Sequence, residues 1–332
     1  MRDRFDHHRL NELAADPQLF EELTADMRER RVGNAAQRKV LVVMSAVLTA
    51  CVEWHKIATN PVWGMRKPPA TRVRHARPFA PLVVERIRLQ MARRETKDRS
   101  GARAQADACF VSLMSYAGLR PGEALALTWR DIGAQTIAVD KAVSDGTEGP
   151  TKTGAVRAVP LLSPLLDDLI ALKIKRGMPA DLELVLPAKD GGHWSRSEFN
   201  NWRNRVWKPA LERLVTGDPA LARIAAARPY DCRGSFVSLH LRAGASPIEV
   251  AQWAGHSPAV MFKHYAYVID ELVGEPALSA EAQIMRARGF VGEKPKDELD
   301  ELMADLLERP TLAAAAGDGA ACVVYAPTTT AA

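Results

Sequence analysis

Residues 228–269 read RPYDCRGSFVSLHLRAGASPIEVAQWAGHSPAVMFKHYAYVI. They bring Arg233, His256 and Tyr265 into one short, helix-rich segment. Apolar spacing predicts two short helices, Phe236 to Leu241 and Pro247 to Trp253, joined at Gly244. A Gly-His-Ser turn then precedes the run that ends at Tyr265. A phenol becomes a covalent nucleophile when cations and hydrogen-bond donors converge on the group it attacks. Arg suits a phosphate there, because its planar fork matches phosphate oxygens and its charge persists at neutral pH. The paired helices also have a helix-turn-helix look. The basic recognition face that such a motif needs is missing, since Ile248, Val250, Ala251 and Trp253 are apolar and Glu249 is the only charge.

Upstream, residues 116–132 read YAGLRPGEALALTWRDI. Gly118 breaks one helix and Pro121 starts the next, which sets Arg120 at a helix N-terminus where unpaired N–H groups favour an anion. Glu123, three residues on, is placed either to hold the Arg120 guanidinium or to complement the helix dipole. Beyond Ala134 the period changes. Residues 135–140 and 155–160 alternate like strands around a Gly-, Asp- and Thr-rich turn region, so a small antiparallel sheet is expected, with Lys152 just before the second strand. Elsewhere helices are expected over residues 39–57, from Pro81, over 104–116, over 163–175 and over 195–215.

Taken in order, these stretches resemble the tyrosine recombinase (phage integrase) family. Residues 117–124 are similar to its first-Arg box. Arg233, the turn Ala254-Gly255-His256-Ser257 and a Tyr nine residues after that His match its C-terminal signature. Lys152 resembles its hairpin lysine. One position departs, because Tyr230 stands where the family carries the first His of its His-x-x-Arg box. The resemblance implies a mainly α fold with a small antiparallel β-sheet, an α+β catalytic domain preceded by a helical core-binding domain. It implies cleavage and rejoining of double-stranded DNA through a 3′-phosphotyrosine on Tyr265. Arg120 and Arg233 would hold the phosphate oxygens, with Glu123 supporting Arg120. Lys152 would protonate the leaving 5′-oxygen, His256 would handle the tyrosyl proton, and Tyr230 would take the sixth place. Neither cofactor nor metal is implied, and a homotetramer on DNA at synapsis is. Two other readings stay open: a type IB-like topoisomerase that relaxes DNA alone, and a non-catalytic DNA-binding relative.

Size and charge are consistent with that reading. The chain has 332 residues, room for two domains, and 47% hydrophobic content, enough for real cores. No run of eighteen purely apolar residues and no leader pattern stands out, so a cytoplasmic protein without membrane partners is expected. Four separated cysteines suggest neither a disulfide framework nor a zinc site. The net charge is only +5, yet it is unevenly spread. Between Arg28 and Arg77 eleven Lys/Arg face two acids, a balance of +9, whereas residues 276–332 carry five basic and nine acidic residues. A basic stretch can track a phosphate backbone and an acidic one avoids it. The expected organisation is a short helical domain over 1–62, a basic Pro-rich linker over 63–78 and the catalytic domain over 79–275. A helical tail over 276–310, with a stripe of Leu299, Leu302, Met303, Leu306 and Leu307, and a disordered end over 311–332 complete it.

Overall fold

The computed structural model describes residues 5–69, 78–95, 98, 100–151, 154–262, 265 and 278–291. Its chain divides into two compact units, Met1–Arg74 and His75–Ala332. The first is built from helices Leu10–Ala15, Gln18–Glu29 and Asn34–Glu53 around Phe20, Leu41, Leu48, Ile57 and Val62. The long helix buries Gln37, Leu41 and Leu48, whereas Val47, and Trp54 just past its end, are 60% and 69% exposed although both lie at helical spacing in one apolar series with Leu48 and Ile57. Residues 40–44 are apolar on every side of the helix, so spacing alone selects no face there. Among the described residues this is also the one helix long and apolar enough to cross a membrane by length and composition. One face of it packs within its own unit. The Asn60 amide donates to the Ser45 carbonyl at 2.9 Å and to Thr49 Oγ1 at 3.0 Å, and its oxygen accepts from the Val62 N–H at 3.0 Å. Of the expected linker, Pro68 is tied back by Arg38 Nη1 at 2.6 Å, while residues 70–77 lie outside the described residues.

The second unit is mainly helical. Pro81–Ala92, Ala102–Tyr116, Ser163–Lys175 and Cys232–Arg242 share one core, and Ala102–Tyr116 is buried from Cys109 through Tyr116. Pro81 occupies the first turn of its helix, where its missing N–H costs nothing. Ser163 is the first residue of its helix, and its hydroxyl bonds Glu281 at 2.8 Å. The helix expected over 195–215 runs as Arg196–Trp202 and Lys208–Gly217, with a π-helical turn Arg203–Trp207 between them. Pro209 accounts for the interruption, because its ring would clash with the carbonyl four residues back in a regular α-helix. The expected strand pair is β1 (Thr136–Val139) against β4 (Arg157–Pro160), antiparallel, with Ile137 opposite Val159. Between them a second hairpin, β2 (Lys141–Ser144) with β3 (Thr147–Pro150), closes through Asp145 and Gly146 at φ 53° and 78°. Two left-handed residues in a two-residue loop make the turn that matches strand twist. Helix Ala280–Val291 also packs into this unit, against Pro81–Ala92, Ser163–Lys175 and Cys232–Arg242. The apolar stripe at 299–307 and the end at 311–332 lie outside the described residues.

Candidate active site

Arg120 precedes helix Pro121–Ala126, with its backbone extended at ψ 150°. Its N–H donates to Glu123 Oε2 and its Nη1 to Glu123 Oε1, both at 2.7 Å, so the helix start and the guanidinium are fixed by one carboxylate. Its Nη2 reaches the Gly255 carbonyl at 2.8 Å. Glu123 therefore holds Arg120 and completes the first turn at once, and the two uses weighed from sequence coexist. Burial of Glu123 opposes its charge, but hydrogen bonds and charge from Arg157 and Arg120 prevail and hold it below the usual carboxylate range.

Arg233, the second residue of helix Cys232–Arg242, is fully buried. Its Nη1 donates to the Gly118 carbonyl, its Nε to His256 Nε2 at 3.3 Å, and Glu123 Oε2 lies 3.9 Å from Nη1. Burial, reinforced by repulsion from Arg120, pushes this guanidinium down to about 10. That still leaves it charged at neutral pH, with Nη2 unpartnered among the described residues. Gly118 makes the approach possible. Its φ is +62°, and a Cβ there would stand 2.5 Å from the Phe236 ring, one turn along from Arg233.

His256 follows the αL residue Gly255, φ +59°, that ends helix Pro247–Ala254. The His256 N–H bonds the Ala251 carbonyl and the Gly255 N–H that of Gln252, each at 2.9 Å, which is a Schellman closure. The helix end thus aims the imidazole. Tyr265 is 5% exposed, its ring nearly parallel to that of His256 at 6.5 Å between centroids. Its hydroxyl lies 3.6 Å from where a Cβ on Gly234 would stand, beside Arg233 in sequence. Tyr230 lies on the 3-10 turn Pro229–Asp231 just ahead, 46% exposed. Lys152 lies outside the described residues. Its neighbours are tied across the turn, Thr151 Oγ1 to the Ala155 carbonyl at 3.0 Å and the Gly154 N–H to the Thr151 carbonyl at 2.8 Å.

Arg120, Glu123, Arg233 and His256 are thus linked by contact, with Tyr265 against them. Arg157 of β4 is a member that sequence reasoning missed. Its Nη1 and Nη2 clasp Glu123 at 3.1 and 2.6 Å, and its Nε donates to the Trp253 carbonyl at 2.8 Å. Period two supplies the signal, since Arg157 shares a face with Val159, which is 0% exposed, whereas Val156 is 65% exposed. No group of three or more acidic, His or Cys side chains among the described residues is placed to hold a metal ion.

The arrangement brings together converging guanidiniums over one carboxylate, an imidazole and a phenol, a set whose chemistry suits an anion. The comparisons with known proteins agree on its family. The curated relative Prophage integrase IntR of Escherichia coli (strain K12) is 27% identical over 185 residues, 51% of this chain and 45% of its own, so the match spans just under half of that relative. Among solved structures, the Tn1549 transposon integrase in complex with transposon right end DNA superposes with a TM-score of 0.61 at 15% identity, over 78% of this chain and 83% of that one. XerH site-specific recombinase bound to palindromic difH substrate gives 0.56 at 14% identity, over 80% and 71%. A lambda integrase dimer bound to a COC′ core site gives 0.51 at 14% identity, over 78% and 81%. These likenesses carry the fold, and the model of the phage integrase family matches residues 85–271, more than half of the chain, a span that holds every residue of the cluster: the chain belongs to the phage integrase family.

Proposed function

We propose that the protein is a site-specific DNA recombinase that cleaves and rejoins double-stranded DNA through a 3′-phosphotyrosine on Tyr265. One observation carries the reading: Arg233 bonds His256, Arg120 bonds the carbonyl of Gly255 just before it, and the Tyr265 phenol lies against the start of the Arg233 helix. The Tyr265 oxygen attacks the scissile phosphorus and the bond to the 5′-oxygen breaks. The phenolic proton passes to His256, and Lys152 gives a proton to the leaving oxygen. Arg120 and Arg233 balance charge on the non-bridging oxygens as it rearranges, the largest contribution such a site can make. A 5′-hydroxyl from a partner strand reverses the step, so the ester conserves the bond energy and no nucleotide is consumed. Tyr230 offers its hydroxyl to the phosphate as a donor. Glu123 keeps Arg120 in place.

The neighbouring structures named above were solved with DNA or DNA substrates, which supports duplex DNA as the partner here. The first unit would act as a helical core-binding domain over 1–62, joined through the basic segment 63–78 to the catalytic part. Exchange between two duplexes requires four cleavages, so a homotetramer at synapsis follows, in the cytoplasm where DNA is accessible. The test is a nicked suicide duplex carrying a target site. Wild-type protein should form a covalent adduct that mass spectrometry maps to Tyr265, and Tyr265→Phe should bind the duplex without forming one. An adduct at Tyr267 would overturn the nucleophile. Relaxation of DNA without exchange between two labelled duplexes would make the protein a topoisomerase, and binding with no adduct at all would make it a non-catalytic relative.

A further inference from the structure

We propose that Arg157 is a positioning residue for DNA cleavage, one that fixes Arg120 and the His256 turn in a single register. This rests on the recombinase reading and deepens it.

Every nitrogen of the Arg157 guanidinium is committed: Nη1 and Nη2 to the two Glu123 oxygens, Nε to the Trp253 carbonyl. The side chain is 8% exposed. With its donors engaged inward, Arg157 holds the residues around the phosphate rather than the phosphate. The contacts close a ring. Arg157 joins β4 to Glu123, Glu123 joins Arg120, and Arg120 returns to the Gly255 carbonyl, two residues beyond the Trp253 carbonyl that Arg157 holds. Two arginines therefore grip the C-terminal end of helix Pro247–Ala254, where carbonyls point outward and cations are favoured. The next residue is His256.

Charge gives the second half of the argument. Glu123 is 1% exposed and faces Arg120, Arg157 and, at 3.9 Å, Arg233. With Arg157 on the carboxylate, one guanidinium already balances it, and Arg120 and Arg233 keep their positive charge for a phosphate. Without Arg157, Glu123 would draw both toward itself. Gly255 fits the same scheme: a Cβ there would meet Arg157 Cζ at 3.3 Å and Arg120 Nη1 at 3.4 Å, so the turn leaves room for both arginines. Lysine could supply the charge but not a planar fork spanning two carboxylate oxygens and a carbonyl.

The experiment uses the full chain with Arg157→Lys and Arg157→Gln. Single-turnover cleavage of the suicide duplex is measured at saturating protein, and affinity is measured separately by fluorescence anisotropy. Cleavage should slow by about 10²-fold, the cost of a group displaced by about 1 Å, while Kd changes less than about threefold. A duplex with a neutral methylphosphonate at the scissile position supplies a readout that a merely structural role would not move. Since Arg120 has less charge to balance there, the gap between wild type and Arg157→Lys should narrow at least about tenfold, as it should for Arg120→Ala. Wild-type cleavage by Arg157→Lys, a parallel loss of binding, or an equal defect on phosphate and methylphosphonate would each overturn the proposal. So would unfolding of both variants, which would make Arg157 a folding residue. A wild-type protein that forms no adduct defeats the recombinase reading first and this one with it, whereas normal wild-type adducts beside unimpaired variants defeat this one alone.

Discussion

Tyr230 sits on its short turn with 46% of its surface exposed, one turn ahead of Arg233. A ring serving only as packing beneath the site would be covered, so its exposure favours a hydroxyl available to the scissile phosphate. Phenols in general donate well and are poor bases, so the proposed mechanism assigns proton transfer to His256 and Lys152. Tyr230→Phe should slow cleavage by about 10²–10³ while binding holds, by analogy with losing one oxyanion donor; cleavage at the wild-type rate would retire position 230 from the chemistry. His240 is the opposite case, an imidazole spent on structure. It is buried between Phe236 and Trp253, at 4.4 and 5.2 Å between centroids, and burial pushes its pKa down to about 4 from 6.5. The unfolded chain therefore takes up a proton below pH 6.5 that the folded chain refuses until about 4. Stability from this group is complete above 6.5 and falls as pH drops through that window, by about 2 kcal/mol at pH 5. Denaturant titrations at pH 7 and pH 5 should show that loss in the wild type and a smaller one in His240→Phe; equal losses would refute the assignment. Both histidines look alike in sequence. His256 was legible through its Gly-His-Ser turn and its distance from Tyr265, whereas nothing local marks His240 as neutral. Arg157 was not legible, because alternation places an arginine in phase with the buried Val159 but does not show that the carboxylate it meets is Glu123 of a distant helix.

Elements with strong punctuation were legible: Pro81 and Pro121 open their helices, Gly118 ends one, and residues 136–139 and 157–160 pair as their alternation suggests. The β2–β3 hairpin carried an Asp-Gly signal inside a segment read only as a turn region. What sequence could not supply is how helices choose partners, and buried charge decides part of that. Glu85, Arg88, Asp168 and Arg288 form one buried cluster across three helices. Arg88 bonds Glu85 at 2.8 Å and Asp168 at 3.2 Å, Arg288 bonds Asp168 at 2.9 Å, and the Ser112 hydroxyl bonds Asp168 at 2.7 Å. Two cations and two anions balance. Arg288 also donates to the Pro164 carbonyl and lies 3.5 Å from Glu85, so a buried charge pins helix Ala280–Val291 to both Ser163–Lys175 and Pro81–Ala92. Read one at a time, each of these residues would be placed on a solvated face. Asp168→Ala strips both arginines of a partner in a site closed to water, and such losses cost about 3–5 kcal/mol. Thermal and denaturant unfolding should register that drop, and a change under about 1 kcal/mol would mean the cluster relaxes or admits water.

For the molecule as a whole, charge distribution says more than the total of +5. A cluster of guanidiniums can organise one phosphate, but a duplex presents a charge about every 1.7 Å of its axis, and affinity grows with the number of phosphates neutralised. The excess of +9 between Arg28 and Arg77 is the feature of the chain suited to that task, and residues 276–332, with nine acids, are the part that should stay off the duplex. Arg66 and Lys67 are both exposed and follow the exposed Trp63, which leaves their charges open to a backbone. Each phosphate contact releases a counterion, so log K should fall with log salt at roughly 0.9 per contact. If both side chains touch phosphates, the double variant Arg66→Gln/Lys67→Gln should bind a target duplex more weakly at low salt and show a slope shallower by about 2. Its affinity should approach that of the wild type as salt rises, because the lost contacts are the ones salt already weakens. Cleavage by the bound complex should be unaffected, since neither residue belongs to the Glu123 cluster. An unchanged slope would assign these two charges to a solvated surface, and tracking of the duplex would then have to come from other basic residues in the same stretch.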